Sequence, residues 1–99
     1  MSIKPGKRIW VPCEVKPGPF SNERLVRVRT SRDQWVGFVG VDVLKDPVPS
    51  GSTFVQVMVL SVKKDQVTVR LPGYSVDSSR TKTLSEDDLK GMSLAPVPA

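Results

Sequence analysis

Phe54-Val55-Gln56-Val57-Met58-Val59-Leu60-Ser61-Val62-Lys63-Lys64-Asp65-Gln66-Val67-Thr68-Val69-Arg70-Leu71 is the stretch that decides the fold. Val55, Val57 and Val59 alternate with Phe54, Gln56, Met58 and Leu60. Successive side chains of an extended chain take opposite faces, so a period of two predicts a strand over 54–62. Both of its faces are largely apolar, which predicts a strand crossing the middle of the sheet. Lys63-Lys64-Asp65-Gln66 is a polar connection without glycine, most simply built on a type I turn. Residues 67–71 return as the partner strand, and Pro72-Gly73 ends it, because proline lacks the amide hydrogen that a ladder needs.

Upstream, residues 7–15 read as a first strand, with Ile9, Val11 and Val15 among its apolar positions. Lys16-Pro17-Gly18-Pro19 predicts a turn, after which Phe20 is expected to drop back onto the core. Residues 24–30 alternate again: Val26 and Val28 face one way, Arg27 and Arg29 the other. Ser31-Arg32-Asp33 is a turn. Residues 34–41 form an apolar run around Trp35, Val36, Phe38 and Val39, and Gly37 and Gly40 predict a bulge or bend within it. Residues 42–53 are a polar connector, with a helical turn expected at Val43-Leu44-Lys45. Downstream, 73–79 is a loop and 80–84 a short strand. Ser85 is placed to N-cap the turn Glu86-Asp87-Asp88-Leu89, whose acids suit the positive end of a helix. The expected architecture is all-β: a small SH3-like or OB-like twisted barrel of five to six strands with one short helical turn near the C-terminus. Residues 1–6 are a flexible lead, 7–90 the single barrel domain, and 91–99 an extended exit or linker whose Pro/Ala-rich end reads as that of a domain cut from a longer chain.

Ninety-nine residues with 38% hydrophobic content suit one modest core, and nine prolines with seven glycines suit a fold of many turns. The net charge of +5 lies in the first third of the chain: residues 1–33 carry eight Lys/Arg against three Asp/Glu, and 34–99 carry seven of each. Such a surface attracts nucleic acid, acidic lipid or an acidic protein face, or simply keeps a strand face solvated. A lone cysteine, Cys13, excludes an internal disulfide, and the absence of histidine removes the commonest zinc ligand and the commonest general base near neutral pH. No phosphate-binding glycine loop and no nucleophile elbow occurs. Adjacent acids at 86–88 fan outward and do not converge on one ion. The reading is a non-enzymatic chain with no cofactor, metal or catalytic residue. It has no membrane span and no apolar signal core, and its expected location is the cytoplasm.

Gly6-Lys7-Arg8-Ile9-Trp10-Val11-Pro12, the Val59-to-Val69 hairpin, and Thr81-Lys82-Thr83-Leu84-Ser85-Glu86-Asp87-Asp88-Leu89 with the exit from Met92 to Pro96 resemble, in that order, the SH3-like barrel that precedes the motor domain of many myosins. That family has a Trp-Val-Pro start, a charged turn before Val-Thr-Val, and an acidic Asp-Asp-Leu close. Residues 13–53 depart from it, being far longer than the family's link. The resemblance implies a non-catalytic module that braces an actin-dependent motor or mediates its contacts with a light chain or other cytoskeletal partner.

The alternative is a nucleic-acid-binding barrel, in which arginines at period two meet phosphates and exposed rings stack bases. A methyl-cation cage needs three or four exposed rings, and two Trp, one Tyr and three Phe are too few to supply both a cage and a core. The candidate partner-binding surface is Arg24, Arg27, Arg29, Arg32, Trp35 and Tyr74. Trp35 and Phe38 have core packing as their competing role. Neither the partner's identity nor the oligomeric state follows from these residues.

Overall fold

Alternation of buried residues, most of them valine, with more exposed ones builds the long strands among the described residues. The computed structural model describes residues 3–31, 33–75, 80–85, 88 and 95–96, with 74–75 and 95–96 as backbone. The strands are β1 (Arg8–Pro17), β2 (Glu23–Arg29), β3 (Gln34–Gly40), β4 (Gly51–Lys63), β5 (Gln66–Arg70), β6 (Tyr74–Ser75), β7 (Thr81–Ser85) and β8 (Ala95–Pro96). Among the described residues a single 3₁₀ turn, Val41–Val43, follows β3. It sits two residues before the expected helical turn, because Leu44 is instead drawn into an isolated bridge with Val55 and buried.

All pairings are antiparallel, in the order β6-β3-β2-β1-β4-β5-β7, with β8 also on β1. The sheet curls into a nearly closed, all-β barrel of the small SH3- or OB-like kind. β4 is central, as its two apolar faces predict, pairing with β1 along one edge and β5 along the other. Residues 13–53 are integral to the barrel: they supply the far end of β1, all of β2 and β3, and the start of β4.

The core is one cluster, mostly valine, including Val11, Val15, Val26, Val28, Val55, Val57, Val59, Val67 and Val69 around Trp35 and Leu84. Each occupies the inward parity of its strand. Cross-strand partners share a face, so Val15↔Val26, Val28↔Trp35, Val59↔Val69 and Val67↔Leu84 stack valine and larger groups across four pairings.

Three expectations are corrected. β1 runs on through Pro17, and the chain reverses later, at a turn closed by the Glu23 amide donating to the Phe20 carbonyl. Phe20 therefore sits on the outside of that turn, 67% exposed, and not on the core. The β2–β3 register runs without a break through Gly37 and Gly40, so neither marks a bulge. The bulge lies in β4, between Val59 and Ser61. It resets the register so that Ser61 pairs with half-buried Thr68, and Val62 pairs with Val67 near the strand's end, where Val62 itself stays 41% exposed.

The barrel's seam is polar. The Asp88 carboxylate accepts from the backbone amides of Ser85 (2.9 Å) and Ser31, and Ser85 Oγ accepts in turn from the Asp88 amide at 3.3 Å. The Ser85–Asp88 pair is the reciprocal bonding of a helix start, which is the role expected of Ser85. Burial works against ionisation of Asp88, but the amide and hydroxyl donors of Ser85 and Ser31 outweigh it and hold the carboxyl below its ordinary range. Lys82 adds an ion pair to Asp33 across the same seam. Glu86, Asp87 and Leu89 of the expected turn, the remainder of the tail, loop residues 76–79 and the first two residues lie outside the described residues. Among the described residues, no helix is long and apolar enough to cross a membrane.

Candidate functional site

Outward-facing residues of β3, β2, β1 and β4 line up in rows set by the register. Val36 lies opposite Arg27, Arg27 opposite Glu14, and Glu14 opposite Ser52. A second row runs Phe38, Leu25, Lys16. In a third, Gln34 lies opposite Arg29, and on the far strands Pro12 lies opposite Phe54. Two adjoining cavities lie along these rows. One, of ≈ 330 Å³, is walled by Pro12, Cys13, Arg29, Thr53 and Phe54. The other, of ≈ 300 Å³, is walled by Val15, Lys16, Leu25, Val36 and Gly51. Glu14, Arg27 and Ser52 line both, so the middle row is the ridge that the two hollows share. Together they form an open groove with apolar walls and a charged floor.

The charges on this floor are unevenly matched. Glu14 sits directly across from Arg27 but sends its carboxylate diagonally to Arg29, whose Nε lies 3.1 Å from Oε1. Both side chains of that pair are about half exposed or more, so the pair contributes little to stability. Arg27 is left without a hydrogen-bond or ion-pair partner among the described residues, and its Nε is buried with no acceptor. A buried donor left unmade costs roughly 1–3 kcal/mol, and that cost is relieved only where an acceptor reaches the group. Phe54, at the groove's edge, carries the Lys45 ammonium 5.5 Å from its ring centroid.

The sequence-derived candidates separate accordingly. Arg27 and Arg29 share the outward face, as their spacing predicts, and both line the groove. Arg24 does not belong to it. Its guanidinium donates to the carbonyls of Val48 (3.0 Å), Ser21 (2.9 Å) and Glu23 (2.8 Å), stapling the β1–β2 loop to the connector before β4. Trp35 is wholly buried, so it packs the core and is unavailable to a ligand. Its register opposite inward Val28 is the cause. Tyr74 pairs by backbone with Phe38 in β6; its side chain, like Arg32, lies outside the described residues. Glu14, Ser52, Pro12 and Phe54 were not among the sequence candidates. Only the β1–β4 register brings Ser52 and Phe54 beside Arg27, and that register joins segments distant in the chain.

The Cys13 thiol faces inward, 6% exposed, beneath the first cavity. Burial pushes its pKa up to about 12, a backbone hydrogen bond from Thr53 acting the other way. The thiol is protonated and unreactive near neutral pH. The described residues hold no cluster of three or more His, Cys, Asp or Glu suited to a metal ion. The groove brings together apolar hollows, the unmatched Arg27 guanidinium and hydroxyls at its rim.

No family model, no curated protein and no solved structure matches this chain.

Proposed function

We propose that this chain is a non-catalytic barrel module that docks a protein partner, bracing a larger assembly as the resemblance to the SH3-like domain of myosins implies. The observation that carries this reading is the groove across β3-β2-β1-β4, with its shared Arg27-Glu14-Ser52 ridge and apolar walls. Cavities of about 300 Å³ or more admit side chains of a docking segment. The segments that carry the myosin resemblance lie on β1, β4, β5 and β7, neighbours in one sheet, which supports reading them as one unit. An actin-dependent motor as the parent assembly is part of the same proposal.

The nucleic-acid alternative draws support from Arg27 and Arg29 on one face. Against it, Glu14 lies in the middle of that face and neutralises Arg29, whereas strand-tracking grooves present a run of unopposed cations.

Site-specific photo-crosslinking tests the proposal. A crosslinking residue at Ser52, inside the groove, is expected to capture a protein in cells, and one at Lys64, on the β4–β5 turn, is expected not to. Capture that disappears in Arg27→Glu supports the docking module, and a motor subunit as the captured protein supports the motor assignment. Capture of nucleic acid, or equal capture from both positions, overturns the docking module; a captured protein unconnected with any motor overturns the motor assignment alone.

A further inference from the structure

We infer that the groove's occupant is an acidic, extended peptide segment of a partner protein, with a carboxylate side chain seated on Arg27 and apolar side chains in the two flanking hollows. This inference rests on the docking reading above and adds the chemistry of what is docked.

Arg27 selects a carboxylate by three observations. It stands at the ridge common to both cavities, so any segment lying along the groove crosses it. Its guanidinium has no partner among the described residues, although Glu14 lies opposite; the Glu14 carboxylate is engaged by Arg29. A planar guanidinium matches a carboxylate bidentately and strongly where surrounding apolar groups exclude water. Pro12 and Phe54 on one side and Leu25 and Val36 on the other are such groups. The positive side chains that face this segment are Arg27, Lys16 and the Glu14-paired Arg29, and the negative one is Glu14. The balance favours an anion, with room for one strong contact at the ridge rather than a ladder of phosphates.

The hollows lie on either side of the middle row, and adjacent strands are spaced about 4.8 Å apart. An extended peptide places residues of like parity about 6.6–7 Å apart. A segment with an acid flanked at i−2 and i+2 by leucine-sized residues therefore sets its acid on Arg27 and one apolar group in each hollow. Ser52, at the rim of both hollows, is placed to donate its hydroxyl to the same carboxylate or to the peptide backbone.

The test is an amide-shift NMR titration of the full chain with four probes of equal length: a Leu-x-Glu-x-Leu peptide, its Gln counterpart, its Lys counterpart, and a single-stranded oligothymidine. The acidic peptide is expected to shift the amides of Arg27, Ser52 and Val36, and to leave those of Val67 and Thr83 in place. The Gln peptide is expected to bind about ten- to a hundredfold more weakly, the range for losing one charge-assisted hydrogen bond at a buried site. Arg27→Gln should lose affinity for the acidic peptide by a similar factor and Arg27→Lys by less, while both keep native spectra outside the groove. Equal binding of the Glu and Gln peptides overturns the carboxylate assignment and leaves the docking module standing. Tighter binding of the oligothymidine overturns both. No binding by any probe overturns the acidic-peptide occupant, while the crosslinking result separately decides the docking module.

Discussion

Cys13 shows how one position on a two-sided strand is assigned its chemistry. It shares the inward parity of Ile9, Val11 and Val15, so the thiol is a small apolar core group and not a nucleophile. Its pKa is raised by burial to about 12, above the value near 8.5 of an unfolded cysteine. A raised folded-state pKa means that the thiol's contribution to stability is complete below about pH 8.5 and is lost as pH rises from there toward 12. Two results are expected. The native chain should not react with a disulfide reagent at pH 8, although the urea-unfolded chain should react at once. The melting temperature of Cys13→Ala should fall less steeply between pH 8.5 and 11 than that of the parent. Parallel slopes in the two proteins would show that Cys13 ionisation does not drive the alkaline loss. Arg27 illustrates the opposite case on the adjacent strand: its outward parity was legible from spacing alone, but its lack of a partner was not. That depends on which way the Glu14 carboxylate turns, a choice between two arginines that alternation cannot express.

At the scale of elements, the local signals that proved readable were those carried by neighbours in the chain. Val26 and Val28 point inward and Arg27 and Arg29 outward, as their alternation predicts, and β4 and β5 meet at Lys63↔Gln66 across the expected glycine-free turn. The burial of Trp35 was also within reach, since a short connection after Arg29 pairs Val28 with Trp35 on the inward face. The bulge carries no glycine, the residue that marks one most readily in a sequence. Its actual trace is Ser61, a polar residue at the inward parity of Val57 and Val59, which an extra residue moves outward. Glycine is decisive elsewhere, at Gly73. It adopts φ +79, and a Cβ there would collide with the carbonyl oxygen of Phe38. It allows the chain leaving β5 to cross tightly against β3 and lay β6 beside it. Gly73→Ala is expected to lose this pairing. The left-handed conformation alone costs about 1–2 kcal/mol for a residue with a Cβ. A domain of this size then melts roughly 4–8 °C lower per kcal/mol. Hydrogen exchange should accelerate at the β3–β6 pairing and remain slow in β4. An unchanged melting temperature would mean that the crossing has room for a methyl group.

For the whole molecule, the decisive question is whether residues 13–53 are an insertion into a smaller barrel or half of the barrel itself. The resemblance of the two ends to a family with a short link favours the first; the pairing pattern argues for the second. β1 is long enough to pair with β4 from Arg8 to Val15 and still hold β2 from Glu14 to Pro17, so it serves as the bent strand that joins two halves of one sheet. Val26, Val28, Trp35, Val39 and Leu44 come from the middle segment and belong to the same cluster as Val11, Val57 and Leu84. Fully burying a side chain of this kind contributes roughly 1.5–3 kcal/mol. Five of them together rival the entire stability of a typical domain, about 5–15 kcal/mol. The groove has the same dependence, since its ridge runs from Val36 on β3 to Ser52 on β4 and has no floor without β2. A chain lacking residues 18–49, with Pro17 joined to Ser50 through a short glycine-serine linker, is therefore expected to lose cooperative thermal unfolding and slow-exchanging amides in β4 and β5. The entropy gained by shortening the connection does not offset this, because loop closure changes by only about 0.6 kcal/mol for each halving of length. A deletion variant that melts cooperatively near the parent's temperature would assign the middle segment to an independent flap. It would also separate the groove from the strands on which the proposed myosin resemblance rests.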